Sequence, residues 1–224
     1  MMRLTWIGYA LLYLLSCSAL AEKPTTILAF GDSITEGGKN FHSYRKVLVP
    51  ELQKRKLEVE FIGPKHSEGA AHAGYSGKST KKLREMSEGI YQKHPADIVL
   101  LHTGHNSNST NKPVPGIIED TKAIIENFYK TNPEVRVLLA QVIPAGKLPK
   151  YSHLPELNQE LEKLAKQLTE QGLKVTLVNQ AEGFDWQKDT IADKVHPNAS
   201  GSKKMANKWL EALLPLLSVQ ESSQ

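Results

Sequence analysis

Residues 27–38 read ILAFGDSITEGG: Ile27 to Phe30 are apolar or small, Gly31-Asp32-Ser33 follow without a break, and Gly37-Gly38 closes the stretch. A buried strand that ends at once on a glycine, an acid and a serine is the arrangement by which open α/β sheets present their working groups, just beyond the carboxyl ends of the strands. Three roles are open for Ser33: a nucleophile, a phosphate-binding turn residue, or a helix N-cap and nothing more. The stretch lacks both G-x-x-x-x-G-K-[ST] and the spacing of G-x-G-x-x-G, which weakens the phosphate reading. Gly37-Gly38 reads as a flexible lip that lets a substrate approach the serine.

The rest of the chain repeats the strand-then-helix pattern. After TTILAF (25–30), Tyr44, Val47, Leu48 and Leu52 recur at helical spacing, and VEFIG (59–63) reads as a second strand near an edge. Leu83, Met86 and Ile90 mark a helix; DIVLLHTG (97–104) is a third strand, apolar on both faces until its end. Ile117, Ile124, Ile125 and Phe128 suit a helix stopped by Asn132-Pro133, and VRVLLAQV (135–142) is a fourth strand. Leu157, Leu161, Leu164 and Leu168 form an amphipathic helix closed by Gly172; KVTLVN (174–179) is the fifth strand; Met205, Trp209, Leu210 and Leu213 mark the last helix, with a frayed tail after Leu217. Alternation of this kind implies parallel pairing with right-handed crossovers. Near-continuous apolar strands imply a sheet covered on both faces. The expected fold class is α/β, a three-layer α/β/α sandwich on five parallel strands, with residues 22–224 as one domain.

Composition narrows the function. The 224 residues carry a net charge of +4, with basic residues spread along the chain, so nucleic acid is not an expected partner. Residues 1–21, MMRLTWIGYALLYLLSCSALA, combine a basic start, a short apolar run and Ala19-Leu20-Ala21, the pattern of an export signal cleaved after Ala21. The apolar run is too short for a comfortable membrane span, and no span is expected in the mature chain. Cys17, the single cysteine, falls inside that segment. Leu14 to Cys17 loosely resembles a lipoprotein box with a poor residue, Leu15, at its second position. The mature chain then has no disulfide and no thiol chemistry. His66, His72, His94, His102 and His153 show neither H-x-x-x-H nor H-E-x-x-H spacing, so neither metal nor cofactor is expected.

Parallel strands gather their C-terminal ends on one edge. That edge collects Asp32-Ser33 after strand one, Gly74-Tyr75-Ser76-Gly77 after strand two, His105-Asn106-Ser107 after strand three, and Asp193 to Asn198 beyond strand five. Asp193 and His196 stand three apart, and a helical turn would put both on one side. A carboxylate orienting an imidazole is what a serine nucleophile requires; a surface turn with an incidental pair is the plainer alternative. The N–H groups of Ser33 and Gly77 and the amide of Asn106 are candidate oxyanion donors, each also readable as an ordinary turn residue. Asp32, Tyr75 and His105 are candidate substrate contacts, His105 more as a support. Ser76 is the rival nucleophile, although no G-x-S-x-G elbow occurs.

Four blocks in order, FGDSITEGG (30–38), AGYSGKST (73–80), HTGHNS (102–107) and DKVHPN (193–198), resemble those of the SGNH hydrolases, the GDSL esterase/lipase superfamily. The resemblance assigns Ser33 as nucleophile, Gly77 and Asn106 as oxyanion donors, and Asp193 with His196 as the acid and base. It implies a flavodoxin-like sheet of order 2-1-3-4-5 and a metal-free mechanism. The third block departs from the usual G-x-N-D, with Ser107 in place of the acid. SYRKVLVPELQKRKLEVEFIGP (43–64) and HAGYSGKS (72–79) resemble secreted carbohydrate acetylesterases of the acetylxylan esterase type. The expected substrate is accordingly a small-molecule or polysaccharide ester. A lysophospholipase, thioesterase or general carboxylesterase with the same residues remains open, as does an inactive surface-binding module.

Overall fold

The computed structural model describes residues 23–107 and 112–218. The proposed export segment with Cys17 lies outside them, as does the tail beyond Ser218. The chain runs β1 (Thr25–Gly31), α1 (Ser33–Glu36), α2 (Arg45–Lys54), β2 (Val59–Ile62), β3 (Lys65–Ser67), β4 (Ala70–Gly74), α3 (Thr80–Lys93), β5 (Ile98–His102), α4 (Val114–Thr131), β6 (Arg136–Gln141), α5 (Leu154–Glu170), β7 (Val175–Asn179), α6 (Trp186–Asp189) and α7 (Ala199–Ser218). No helix among the described residues is long and apolar enough to cross a membrane.

Alternation along the central strands builds the layers. Ile27, Ile98, Leu100, Leu138 and Val178 point to one face, where they meet Tyr44, Leu48 and Leu52 of α2 and Met205, Trp209 and Leu213 of α7. Leu28, Phe30, Val99, Leu101, Val137 and Leu139 point to the other, against Leu83 of α3, Ile117, Ile124 and Phe128 of α4, and Leu157, Leu161 and Leu164 of α5. Both faces are dry, so each fully buried aliphatic or Phe side chain contributes roughly 1.5–3 kcal/mol of burial.

The parallel strands run β1-β5-β6-β7, with β2 and β4 on the other side of β1. The sheet is richer than the expected five strands. β2 pairs with Thr25–Leu28 and β4 with Phe30–Gly31, so one edge position is shared by two short strands. Between them β3 turns back antiparallel to β4. The sequence of β4, AAHAG, holds neither β-branched nor large aromatic residues, so it reads as loop although it sits buried against the end of β1.

Strand ends are where packing tightens. At Gly31 a Cβ would collide with the backbone oxygen of His102 and the hydroxyl of Thr35, so only glycine lets β1 pass this close to β5 before turning into α1. We expect Gly31→Ala to destabilise the fold by about 1–3 kcal/mol, the usual cost of overpacking, read as a lower urea midpoint at unchanged m-value.

Candidate active site

Asp32 caps the four-residue α1: its Oδ1 accepts the Ile34 N–H at 3.0 Å. This turn lifts Ser33 to the rim, half-buried, with its Oγ 2.8 Å from His196 Nε2, across 163 positions of sequence. His196 Nδ1 lies 2.6 Å from Asp193 Oδ2. A carboxylate only accepts, so Nδ1 carries the hydrogen and Nε2 turns its lone pair to the Ser33 hydroxyl. Burial opposes ionisation of Asp193, yet hydrogen bonds from the His196 ring and from the His196 and Val195 N–H groups outweigh it and hold the carboxyl below its usual range.

Asp193 and His196 share a loop, not the helical turn expected from their spacing. Lys194 adopts φ +61° between them, and Asp193 Oδ1 accepts the N–H of Val195 at 2.9 Å and of His196 at 3.0 Å, an Asx turn that brings the two side chains together without a helix. The loop is closed on itself by Ile191 N–H to His196 O, 2.9 Å, and by Asn198, whose amide donates to the Lys188 and Thr190 carbonyls. Asn198 Oδ1 also accepts the Gly201 N–H at 3.1 Å, at the start of α7. Phe41 stacks on the His196 ring at 4.2 Å. The Phe41 ring is packed so closely on Gly38 that a Cβ there would meet it at 2.5 Å, and a Cβ on Gly37 (φ +79°) would meet the Glu68 carboxylate at 3.1 Å. Gly38 thus serves packing that seats Phe41 beside the imidazole, and Gly37 a close approach to Glu68, where the sequence suggested a flexible lip.

The three candidate oxyanion donors are tied into one rim. Tyr75 N–H donates to Gly31 O at 2.9 Å, and Ser76 N–H to Glu36 Oε2 at 2.6 Å. Asn106 Nδ2 donates to Lys78 O at 3.2 Å. Gly77, at φ +74° with open space around its α-carbon, sits between those two anchors. Glu36 also takes Lys65 Nζ; burial raises its pKa, and the bonds from Lys65 and Ser76 more than reverse this. Ser107, at the position of the family's acid, accepts the Thr80 N–H at 2.9 Å and donates to Thr80 Oγ1 at 3.0 Å, fastening this loop to the start of α3. Ser76 is exposed, and its hydroxyl meets no imidazole among the described residues. Tyr75 is half-exposed under Lys65 Nζ.

Asp32 and His105 do not reach the open rim as the sequence suggested. They are 0% and 2% exposed, and with His102 they form a buried cluster in which one ligand atom from each lies within 4.8 Å of the others. Burial pushes the Asp32 carboxyl up to about 7 against the Ile34 N–H bond, and pushes His105 down to about 4 and His102 well below its ordinary value.

Sequence reasoning also passed over Arg45. Its guanidinium is fully buried and donates to Thr35 O, Glu36 O, Ser67 O, Ala70 O and Ser67 Oγ, joining the serine's turn to the β3–β4 hairpin. Beside it, His72 Nδ1 accepts the Gly74 N–H at 3.0 Å, which fixes the hydrogen on Nε2, 2.9 Å from Ser67 Oγ. A cleft of about 540 Å³ opens next to this hairpin, lined by Glu36 to Lys39, Lys65 to Glu68, His72 and Ser76.

A family model described as the GDSL-like Lipase/Acylhydrolase family matches residues 29–204. A curated relative, the multidomain esterase of Ruminococcus flavefaciens, is 28% identical across 88% of this chain, which spans only 29% of that protein's length. Among solved structures, the family 3 carbohydrate esterase of Clostridium thermocellum superposes with TM-score 0.78 at 26% identity, covering 88% of this chain and 99% of that one. A carbohydrate esterase family 3 protein from Talaromyces cellulolyticus shares the fold at TM-score 0.77 and 21% identity, covering 87% of this chain and 98% of that one.

His72 gives a pH signature. Burial first, then the charges of Arg45 and Lys65, lower its pKa from 6.5 to about 4. Between those values the unfolded chain takes up a proton that the folded chain refuses, so this residue's contribution is complete above about 6.5 and is lost as pH falls toward about 4. The melting temperature of His72→Gln should therefore fall less steeply than that of the unmodified protein between pH 6.5 and 4, in parallel thermal scans.

Proposed function

The chain belongs to the GDSL-like lipase/acylhydrolase family, and we propose that it is an exported carboxylic ester hydrolase that removes short acyl groups, acetyl above all, from a carbohydrate. The observation that carries this reading is the hydrogen-bonded line Ser33–His196–Asp193 on the rim where β1 ends. Ser33 Oγ attacks the ester carbonyl as His196 Nε2 takes its proton. Asp193 keeps the imidazole in the needed tautomer and stabilises its charged form. The N–H groups of Ser33 and Gly77 and the amide of Asn106 receive the negative oxygen of the tetrahedral intermediate. As the ester C–O bond breaks, His196 delivers that proton to the departing sugar oxygen, which leaves as a hydroxyl, and water activated by the same imidazole releases acetate from the acyl-enzyme.

Two features favour a short acyl group on a polar alcohol. The cleft beside α1 is walled by charged and hydrogen-bonding side chains, which suits a sugar better than a fatty chain. The Clostridium thermocellum protein that resembles this chain is a carbohydrate esterase. Residues 1–21 as an export signal and residues 22–224 as the working domain fit an extracellular polysaccharide substrate.

Ser33→Ala should lower kcat/KM by about 10⁴-fold or more while stability stays within about 1 kcal/mol. The assay is acetate release from acetylated xylan, pectin and chitin, alongside nitrophenyl esters of increasing length. Activity rising from acetate to octanoate would replace the carbohydrate reading with a lipid or thioester one. Failure of a fluorophosphonate to label Ser33 would replace it with a binding module. Asn106→Ala should lower kcat by about 10²–10³-fold, the usual loss of one oxyanion donor, with KM nearly constant because the contact strengthens in the transition state. A loss confined to KM would remove Asn106 from the oxyanion hole.

A further inference from the structure

We infer that Asp32, His102 and His105 form a binding site for one divalent transition-metal cation of the zinc class, buried next to the Ser33 turn. The inference is independent of the ester substrate. Asp32 spends Oδ1 on the Ile34 N–H, but among the described residues its Oδ2 has no partner although the residue is 0% exposed. His102 is equally buried, and among the described residues neither of its ring nitrogens has a partner beyond its own backbone. Polar atoms sealed from water in this way are costly unless something satisfies them. Both residues belong to one cluster with His105, with one donor atom of each within 4.8 Å of the others.

The third member is already oriented as a ligand. His105 Nε2 faces the Ile143 carbonyl at 2.9 Å, so Nε2 carries the hydrogen and the lone pair sits on Nδ1. An outer N–H to carbonyl bond is the usual device that turns a metal-bound imidazole. The His102 and His105 rings lie nearly parallel, 17° apart with centroids 5.6 Å from one another. Two imidazoles and one carboxylate are a nitrogen-rich donor set, suited to zinc and its neighbours and unsuited to calcium or magnesium, which take oxygen. A tetrahedral ion at ~2.1 Å from each ligand needs donor atoms roughly 3.4 Å apart. The donor atoms, all within 4.8 Å of one another, therefore close by at most about 1.4 Å on loading. The ion would pin the end of β1, through Asp32, to the end of β5 and its following turn, through His102 and His105. It touches no reacting atom and takes no part in ester cleavage.

The site is sealed, so the cation enters during folding. The test refolds the untagged protein from denaturant with and without zinc, dialyses both against chelator and measures metal by atomic emission. About one equivalent of zinc should remain, the melting temperature should rise by several degrees, and cobalt in place of zinc should give visible ligand-field bands. Asp32→Asn, which keeps the Oδ1 cap, and His105→Gln should each lose the metal and the rise, whereas His66→Gln and His94→Gln keep both. If the refolded protein holds less than about a tenth of an equivalent, a trapped water or a protonated Asp32 fills the cluster and the proposal is overturned. Equal zinc in Asp32→Asn and His105→Gln overturns it too. The metal content of the unmodified protein decides the matter even if a variant does not fold.

Discussion

The guanidinium of Arg45 is the contact on which the rim depends. It is 0% exposed, and its ion pair with Glu68 is a long one at 3.8 Å, which offsets only part of its burial. The rest is offset by four backbone carbonyls and the Ser67 hydroxyl, all accepting from one planar group. Irregular backbone at a strand end leaves carbonyls that no ladder satisfies, and buried ones must find a donor. Thr35 O and Glu36 O belong to the turn that lifts Ser33; Ser67 O and Ala70 O belong to the β3–β4 hairpin. One side chain therefore closes both accounts and locks the two segments together. A lysine, with three donors on a flexible stem, does not match this fork.

From that lock the order spreads outward. Glu36 continues from the locked turn to the Ser76 N–H, and Asn106 reaches Lys78 on the far side of Gly77. On the opposite wall the His196 ring is held from three directions, by Asp193, by the Phe41 face and by the Ser33 hydroxyl. Phe41 in turn is seated by Gly38, which follows the locked turn by two residues. Side chains fixed in this way meet the demand that catalytic groups stand in place before a substrate arrives.

The strand ends were legible because hydrophobic runs are a local property. TTILAF runs into Gly31-Asp32-Ser33, DIVLLHTG into His105-Asn106-Ser107, and VRVLLAQV is stopped by Pro144; parallel order carries these ends to one edge. The meeting of Ser33 with His196 followed from topology, and the resemblance of the four blocks named the pair before any coordinates. What stayed hidden depends on long-range packing. Nothing around Arg45 in the sequence distinguishes a fully buried arginine from a solvated one at the start of α2. β4 carries no strand signal because its residues are small, and at its end a Cβ on Gly74 would collide with the Thr35 and Glu36 backbone of α1. The Asp193–His196 spacing suggested a helix because three residues apart is a helical interval, yet an Asx turn produces the same proximity.

Histidine spacing left the His102–His105 cluster unmarked for a related reason. His102 and His105 match neither H-x-x-x-H nor H-E-x-x-H, the two spacings that set both rings on one helix face. Here His102 closes β5 and His105 lies in the following turn, so a reversal of the backbone, with Gly104 at φ +143° between them, brings the rings together. Asp32 arrives from the neighbouring strand, where Gly31 pairs with His102 in register. The same absence of a Cβ at Gly31 that lets β1 approach β5 thus sets a carboxylate beside two imidazoles. Two buried polar systems consequently flank the serine's turn. One, around Arg45, satisfies each donor within the protein, while the other, around Asp32 and His102, presents unpaired oxygen and nitrogen atoms at the same depth. A fold can bury the first with internal bonds alone, whereas the second needs something beyond the side chains that the sequence supplies.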